Sequence, residues 1–492
     1  MFRLPAHAGV RAPPRASDSA ADSAADSAAA DAADAAAAEL DCCKIALDAY
    51  GADVCARATK LSDPYSGLKH HISRNLGGEG VTNAWLKMYE LACDLRLCER
   101  QVHVDAPYRV FCNAEMPGAF LCALNHKFRA GDVPTRWEWC ASSLYPSDDG
   151  TQLGDSLGIM ARHRILWVMD GQNDPYLGAS VGPYTYADGD MTSGKNVRTI
   201  AMRVCSRFIT GVDLYTSDGG IHVPESMYLR QEELNLPLHL GQAAAALITL
   251  APGGTMVVKM YTLRTALAQS LVACLAERFR QFEIRKPLTS RKANSEVYLV
   301  GREFLGDRGG SDLIIDRLPG TGSPFDYLTP LANYGRGSLS SAFLDALDHA
   351  RVALSREQTG GLKIMDAHCR DMQSLSARRT EPLPRDFNPR RDLVSRWLDN
   401  NPIRVLKPNY RMSSGYTPAA GTGARASGRG YASARGRASA GGYASARGRG
   451  SASGRGSASG RASGRGSASG RGSASGRASG RGSASAGGHG DN

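Results

Sequence analysis

The chain lacks any run of 18 or more apolar residues, which excludes a membrane-spanning helix. It lacks a C-x-x-C pair, and its eleven cysteines are odd in number and irregularly spaced. A disulfide framework and a zinc site are therefore both poor readings, and reduced thiols in an intracellular, reducing compartment are expected. No secretory h-region stands at the start, because Asp interrupts the Ala-rich stretch there. Large apolar side chains are scarce in residues 1–40, which are mostly Ala, Asp and Ser. They are scarcer still from 411 to the end, which is Gly, Ser, Ala and Arg. Neither stretch can bury enough apolar surface to offset its ordering entropy. A disordered leader over 1–40 and a disordered tail over 411–492 are expected.

The body also lacks charge of one sign. The formal charge is +11, but thirteen arginines and a single acid lie from Arg411 onward. The first forty residues hold three arginines against six acids, so residues 41–410 carry only +2. That excludes a uniformly basic nucleic-acid platform and leaves room for one local basic groove.

What is present between the ends is an alternation of strand and helix patterns. Residues 82–99 read as an amphipathic helix, with Trp85, Leu86, Tyr89 and Cys93 as its stripe and Lys87 and Glu90 off it. Tyr108–Asn113 is a strand leading through Glu115-Met116-Pro117-Gly118-Ala119-Phe120 into a helix from Leu121. Further buried strands fit Ile165–Met169, Val212–Thr216, Thr255–Met260 and Val297–Val300. Helices fit Leu234–Leu250, with Pro237 in its first turn, and Thr265–Phe279. The pattern predicts an α/β domain over 41–340, a mainly parallel sheet covered by helices on both faces. From 341 to 410 a helical extension is expected, with helices at Ser341–Gln358 and Asp392–Asp399 separated by Pro382, Pro384 and Pro389.

Ligands of such sheets bind beyond the C-terminal strand ends. Glu115 and Asp218 each follow a strand, and Lys259 ends another, so three distant polar residues should converge on one crevice. A lysine inside an apolar strand and Glu296 opening the next are costly unless paired. Taken singly, each fits a salt bridge at the sheet rim. No His/Cys/Asp cluster has metal-ligand spacing, so no metal is expected.

Taken together, the motifs resemble the FtsJ-like, or RrmJ-type, ribose 2′-O-methyltransferases, most closely the cap-specific and viral branch of large DNA viruses. The segments that carry the likeness are Leu86–Glu90, Asn113–Phe120, Ser217–Gly220, Gly253–Lys259 and Lys286–Val300. The last is the most specific: Lys-Pro-Leu-Thr-Ser-Arg-Lys-Ala-Asn-Ser-Glu-Val-Tyr-Leu-Val. The likeness spans residues 70–400 and implies a Rossmann-like class I methyltransferase sheet. It implies a catalytic tetrad of Lys87, Asp218, Lys259 and Glu296. In that scheme Lys259 takes the proton of a ribose 2′-hydroxyl and Asp218 holds the lysine. Lys87 and Glu296 set the surrounding field, while the oxygen attacks the methyl of S-adenosylmethionine in line with its sulfonium.

The resemblance also implies a cofactor pocket of Glu115, Pro117, Gly118, Phe120 and Asp190. Where the family commonly has a second glycine, this chain has Ala119, which fits if its φ is negative. Asp190 lies in Asp-Gly-Asp-Met-Thr, which resembles a loop near the adenosine; the plainer account is a self-capping turn. The indoles of Trp137-Glu138-Trp139 are expected in the core, with stacking on RNA bases or a cap guanine as the alternative. Partners implied are RNA, most of all 5′-capped mRNA, and capping or transcription machinery; host cytoplasm or virion is the implied location. The tail repeats Ser-Ala-Ser-Gly-Arg, its only aromatics being Tyr416, Tyr431 and Tyr443, and resembles Arg-Gly segments that bind RNA. A flexible linker fits it too. The alternatives for the whole chain are methylation of ribosomal or other structured RNA, and a non-catalytic RNA-binding subunit that keeps the fold.

Overall fold

The computed structural model describes residues 1–5, 20–97, 106–131, 135–145, 154–170, 187–319, 325–377 and 389–414. Seven strands form one sheet: β1 (Phe2–Leu4), β2 (Tyr108–Asn113), β3 (Trp137–Ala141), β4 (Val212–Ser217), β5 (Leu250–Met260), β6 (Phe279–Arg285) and β7 (Val297–Phe304). Their order is β1-β6-β7-β5-β4-β2-β3. Strands β3, β2, β4 and β5 run parallel. Strand β7 is antiparallel to both β5 and β6, and β1 is antiparallel to β6.

Twelve α-helices accompany them among the described residues. Before the sheet proper lie α1 (Ala20–Ala46), α2 (Ala52–Leu61), α3 (Leu68–Asn75) and α4 (Asn83–Asp94). Within it come α5 (Ala119–Arg129), α6 (Ile159–Arg162), α7 (Gly194–Arg207), α8 (Gln231–Thr249), α9 (Ala266–Ala276) and α10 (Gly310–Ile315). The extension supplies α11 (Ser341–Ala377) and α12 (Pro389–Asn400).

Alternate residues of each strand serve alternate faces. Phe111, Tyr215, Met256 and Val258 pack with α7, α8 and α9 in one core. Val110, Cys112, Leu214, Val257, Tyr298 and Val300 pack with α4 and α5 in the other. The expected two-faced coverage is therefore present. The indoles of Trp137 and Trp139 lie buried in the second core, against Phe128 and His163.

Several expectations need correction. No strand forms over Ile165–Met169. Arg164–Leu166 is a 3₁₀ turn, Ile165 is exposed, and only Trp167 bridges to Ala141. The buried Arg164 explains this, since its guanidinium donates to Trp167 O (2.8 Å) and Met169 O (2.6 Å), carbonyls a neighbouring strand would otherwise pair. Pro237 lies nearly two turns inside α8 rather than in its first turn, because the helix begins at Gln231. Phe279 opens β6 instead of closing a helix. In α4 every residue from Trp85 to Ala92 is buried, Lys87 and Glu90 included, so the helix has no solvated face.

Part of the leader is ordered. Phe2–Leu4 pairs with Phe282–Ile284, and Leu4 enters the core. Helix α1 packs on α11 with Ala33, Ala36 and Leu40 buried. Ion pairs reinforce it: Asp34 to Arg351 (2.8 Å), Glu39 to Lys363 (2.8 Å) and Asp41 to Arg264 (2.7 Å). Small alanines let two helices approach closely, a mode of burial that a search for large apolar residues overlooks.

The boundary at 411 also shifts. Residues 401–414 strap back over α4 and α5. Tyr89 Oη donates to Pro402 O (3.0 Å), His126 Nε2 to Arg404 O (2.8 Å) and Asn125 Nδ2 to Tyr410 O (2.7 Å). The carboxylate of Glu79 accepts from Met412 N (2.7 Å) and Ser413 N (2.8 Å). The Arg/Gly/Ser repeats beyond lie outside the described residues.

Helix α11 runs straight through Gly360-Gly361, where sequence propensity ends it at 358. An interior glycine costs about 1 kcal/mol relative to alanine, and the surroundings show why position 361 keeps one. A Cβ there would stand 2.6 Å from Ala293 N and Lys292 C, whereas one at 360 meets nothing within 4 Å. Gly360→Ala should therefore stabilise the protein by about 0.5–1 kcal/mol, and Gly361→Ala should destabilise it by about 1–3 kcal/mol. Urea unfolding of the two variants measures this; equal effects would mean that α11 does not press on the 292–293 backbone.

Candidate active site

The parallel strands end on one rim, where the chain leaves β2 toward β3 on one side and β4 lies on the other. A crevice at such a reversal of strand order is where α/β sheets take ligands. Glu115 stands beyond β2 and Asp218 beyond β4. Lys259 lies one residue before the end of β5, two positions from Val257 and so on the α4 face. Glu296 directly precedes β7, two positions from Tyr298 and on the same face. Lys87 comes from α4, which Thr82 caps by accepting from Trp85 N (3.3 Å).

These residues meet. Lys87 Nζ donates to Glu296 Oε1 at 2.6 Å. Lys259 Nζ lies 3.4 Å from Asp218 Oδ1 and 4.0 Å from Glu296 Oε1, and donates to Asp218 O at 2.8 Å. Two lysines and two carboxylates from four elements thus form one buried network. It draws in residues the motif reading quoted without a role. Tyr298 Oη donates to Asp218 Oδ1 (2.8 Å), and Asn294 Nδ2 donates to Glu296 Oε2 (2.6 Å). The place of Tyr298 was readable from the strand period, two positions after Glu296; that of Asn294 depends on a turn no periodicity reports.

Burial alone would favour a neutral Lys259, but Asp218, Tyr261 and Glu296 overcome it and hold the ammonium above its ordinary range. Burial pushes Glu296 up, yet Lys87 and Lys259 outweigh it and bring the carboxyl down to about 2. Lys259 and Glu296 therefore both rest ionised. The His239 ring is tilted against that of Tyr261, and burial together with the Lys259 charge lowers its imidazole to about 3, so it is neutral.

Glycines keep the crevice open. A Cβ on Gly220 would stand 2.9 Å from Tyr261 Oη and 3.1 Å from Lys259 Nζ, filling the space between them. One on Gly219 would overlap the amide of Gln242, a fully buried side chain with no hydrogen-bond partner among the described residues.

The β2 end is built to receive a ligand as well. Glu115 is buried at the rim and accepts from Leu121 N (2.9 Å), and burial raises its carboxyl to about 8. Gly118 has φ +115°, and a Cβ there would also run into Ile159, so the turn demands glycine. Ala119 opens α5 and is not among the positive-φ residues, so its methyl group fits. Pro117 is half-buried beside Gly118. Phe120 turns its ring into the core against Tyr298, which leaves only its backbone near the rim.

Asp190 Oδ1 accepts from Thr192 N (2.9 Å) and Thr192 Oγ1 (2.8 Å), the self-capping turn. That turn lies against the chain leaving β3. Gly189 touches Ser143, and Tyr145 N donates to Asp188 O (2.7 Å). Among the described residues no group of three metal-ligating side chains occurs.

Part of the chain is similar to known proteins. Residues 81–304 match the model of the FtsJ-like methyltransferase family. A probable methyltransferase of African swine fever virus, EP424R, is 40% identical over 244 residues, covering 49% of this chain and 54% of that protein. A mouse protein named cap-specific mRNA (nucleoside-2′-O-)-methyltransferase 2 is 28% identical over 256 residues, 51% of this chain and 31% of its own. Among solved structures, a putative ribosomal RNA methyltransferase from Plasmodium falciparum covers 46% of this chain and 99% of its own at 14% identity, with a TM-score of 0.30. The chain thus spans about half the length of the viral relative it matches. The likeness to the FtsJ-like methyltransferase family rests on residues 81–304, somewhat under half of the chain.

Proposed function

We propose that this domain methylates the ribose 2′-oxygen of RNA, at the first transcribed nucleotide of capped mRNA. The observation that carries the reading is the buried Lys87–Glu296–Lys259–Asp218 network on the crevice rim. The likeness to the mouse cap-specific mRNA (nucleoside-2′-O-)-methyltransferase 2 supports the choice of a cap over an internal site. S-adenosylmethionine, when bound, supplies a methyl group activated on a sulfonium. Glu115, Pro117, Gly118, the backbone of Phe120 and Asp190 would hold it.

The chain's own part is to place the hydroxyl and move its proton. Asp218 orients the hydroxyl and fixes Lys259, and Lys259 takes the proton. It can do so only as the neutral amine, and the resting site holds it as an ammonium. Its own proton must therefore leave to solvent before each turnover. Lys87 keeps Glu296 ionised, which fixes that carboxylate beside Lys259. Holding the hydroxyl at attack distance contributes a large share of the rate.

The test uses labelled methyl donor and short RNAs that differ only at the 5′ end: methylated-guanosine cap, unmethylated cap, or triphosphate. Label confined to the capped RNAs supports the proposal. Label on uncapped or structured RNA keeps the chemistry and moves the substrate. No label on any RNA, with the protein folded and binding RNA, leaves a non-catalytic RNA-binding subunit.

A further inference from the structure

A third lysine stands behind the tetrad. Lys286 follows directly on β6, and its Nζ is surrounded by three oxygens, none of them a carboxylate. It donates to Asn294 O (2.8 Å), Asn294 Oδ1 (3.0 Å) and Glu296 O (3.0 Å). Burying an ammonium costs free energy that such neutral partners only partly return. The site therefore pays for a cation where a methionine would fill the same space, and the contacts show what the cation does.

Because Lys286 binds the oxygen of the Asn294 amide, it forces the nitrogen of that amide the other way, onto Glu296 Oε2 (2.6 Å). With that oxygen held, Oε1 is the one left for Lys87 at 2.6 Å and Lys259 at 4.0 Å. We propose that Lys286 is a positioning residue, acting through Asn294 to fix the rotation of the Glu296 carboxylate and hence its reach to Lys87 and Lys259. This deepens the reading above and rests on it for its catalytic arm only.

Burial lowers the pKa of Lys286 to about 8. The charged groups that face it are Glu296 on the same loop and Glu357 of α11, which favour the ammonium, and Lys87 of α4, which opposes it. Ser290 Oγ donates to Asn294 Oδ1 as well (3.2 Å), and a neutral Lys286 amine would keep two hydrogens to donate, so the amide keeps its orientation when that proton leaves.

The test compares the full chain with Lys286→Met and Asn294→Leu. Crystal structures of both variants should show Glu296 turned, with its carboxylate more than 4 Å from Lys87 Nζ. Under single-turnover conditions methyl transfer should fall 10- to 100-fold in each. Affinity for the methyl donor, measured directly, should stay within twofold. The double variant should be no slower than the slower single, because both changes break one chain of contacts. Lys286→Met with Glu296 still 2.6 Å from Lys87 would overturn the proposal, as would a transfer rate above half of wild type. If the unmodified protein transfers no methyl group, the proposed activity fails while the crystal structures still decide the positioning claim.

Discussion

Replacing Lys259 with methionine should slow methyl transfer by about 10³-fold or more, within the range expected for loss of a positioned base. The variant should still fold. Lys87 continues to pair with Glu296, and Tyr298 continues to donate to Asp218, so neither carboxylate is left without a partner. Cofactor affinity should change little, since Lys259 lies on β5 whereas the cofactor candidates lie at the ends of β2 and β3. The same lysine sets the pH dependence of the native protein. Its pKa is raised, so the neutral amine is a minor species at pH 7, and its population grows tenfold per pH unit. The single-turnover rate should therefore rise with a slope near one between pH 7 and 9. A flat profile, or a Lys259→Met variant within tenfold of wild type, would remove Lys259 from the proton transfer.

The stability linkage of this network has two signs. Lys259 is raised in the fold, so its contribution is fully present below its ordinary value of 10.5 and is lost as pH climbs through the folded value. Glu296 is depressed, so its contribution is present above the ordinary value of 4.5 and is lost as pH falls toward about 2.

Trp397→Ala should lower stability by about 3–5 kcal/mol, the range for deleting a large buried aromatic. Trp397 is 1% exposed and tilts against Tyr89 in the core beneath α4. Its Nε1 donates to Glu90 Oε2 at 3.0 Å, and Glu90 also accepts from Leu288 N, Thr289 N and Thr289 Oγ1. One buried carboxylate thus ties the extension helix α12 to the loop that carries Lys286, Asn294 and Glu296. Methyl transfer at a temperature where the variant is folded should fall as well, because that loop loses one of its anchors. Trp397→Phe keeps an aromatic ring but removes the donor together with the rest of the indole, and should cost about 1–3 kcal/mol. Equilibrium urea unfolding measures both. A Trp397→Ala variant within 1 kcal/mol of wild type would show that α12 merely rests on the domain.

The extension was legible in the sequence as helices, but its role was not. Periodicity finds α11 and α12; it cannot say that Gly361 presses on Lys292 and Ala293, or that Trp397 reaches Glu90. The strand ends were legible because apolar runs terminate sharply at Asp218 and Lys259, and a lone lysine in such a run demands a partner. Strands β1, β3 and β6 were missed for different reasons. Phe2–Leu4 is three residues long, Trp137–Ala141 reads as an aromatic cluster, and Phe279–Arg285 follows so closely on the preceding helix that the helical pattern takes in Phe279 and leaves the rest without a period of its own. The ordered part of the leader was missed because alanine faces bury through close approach rather than through bulk.

The measurement that tests the central claim most directly is the identity of the methylated product. Capped RNA treated with the protein and labelled donor would be digested completely to nucleosides and separated. The account predicts all label in the 2′-O-methylribonucleoside of the first transcribed position, and none when that ribose is replaced by deoxyribose. Label in a methylated base, or undiminished transfer to the deoxyribose substrate, would contradict it.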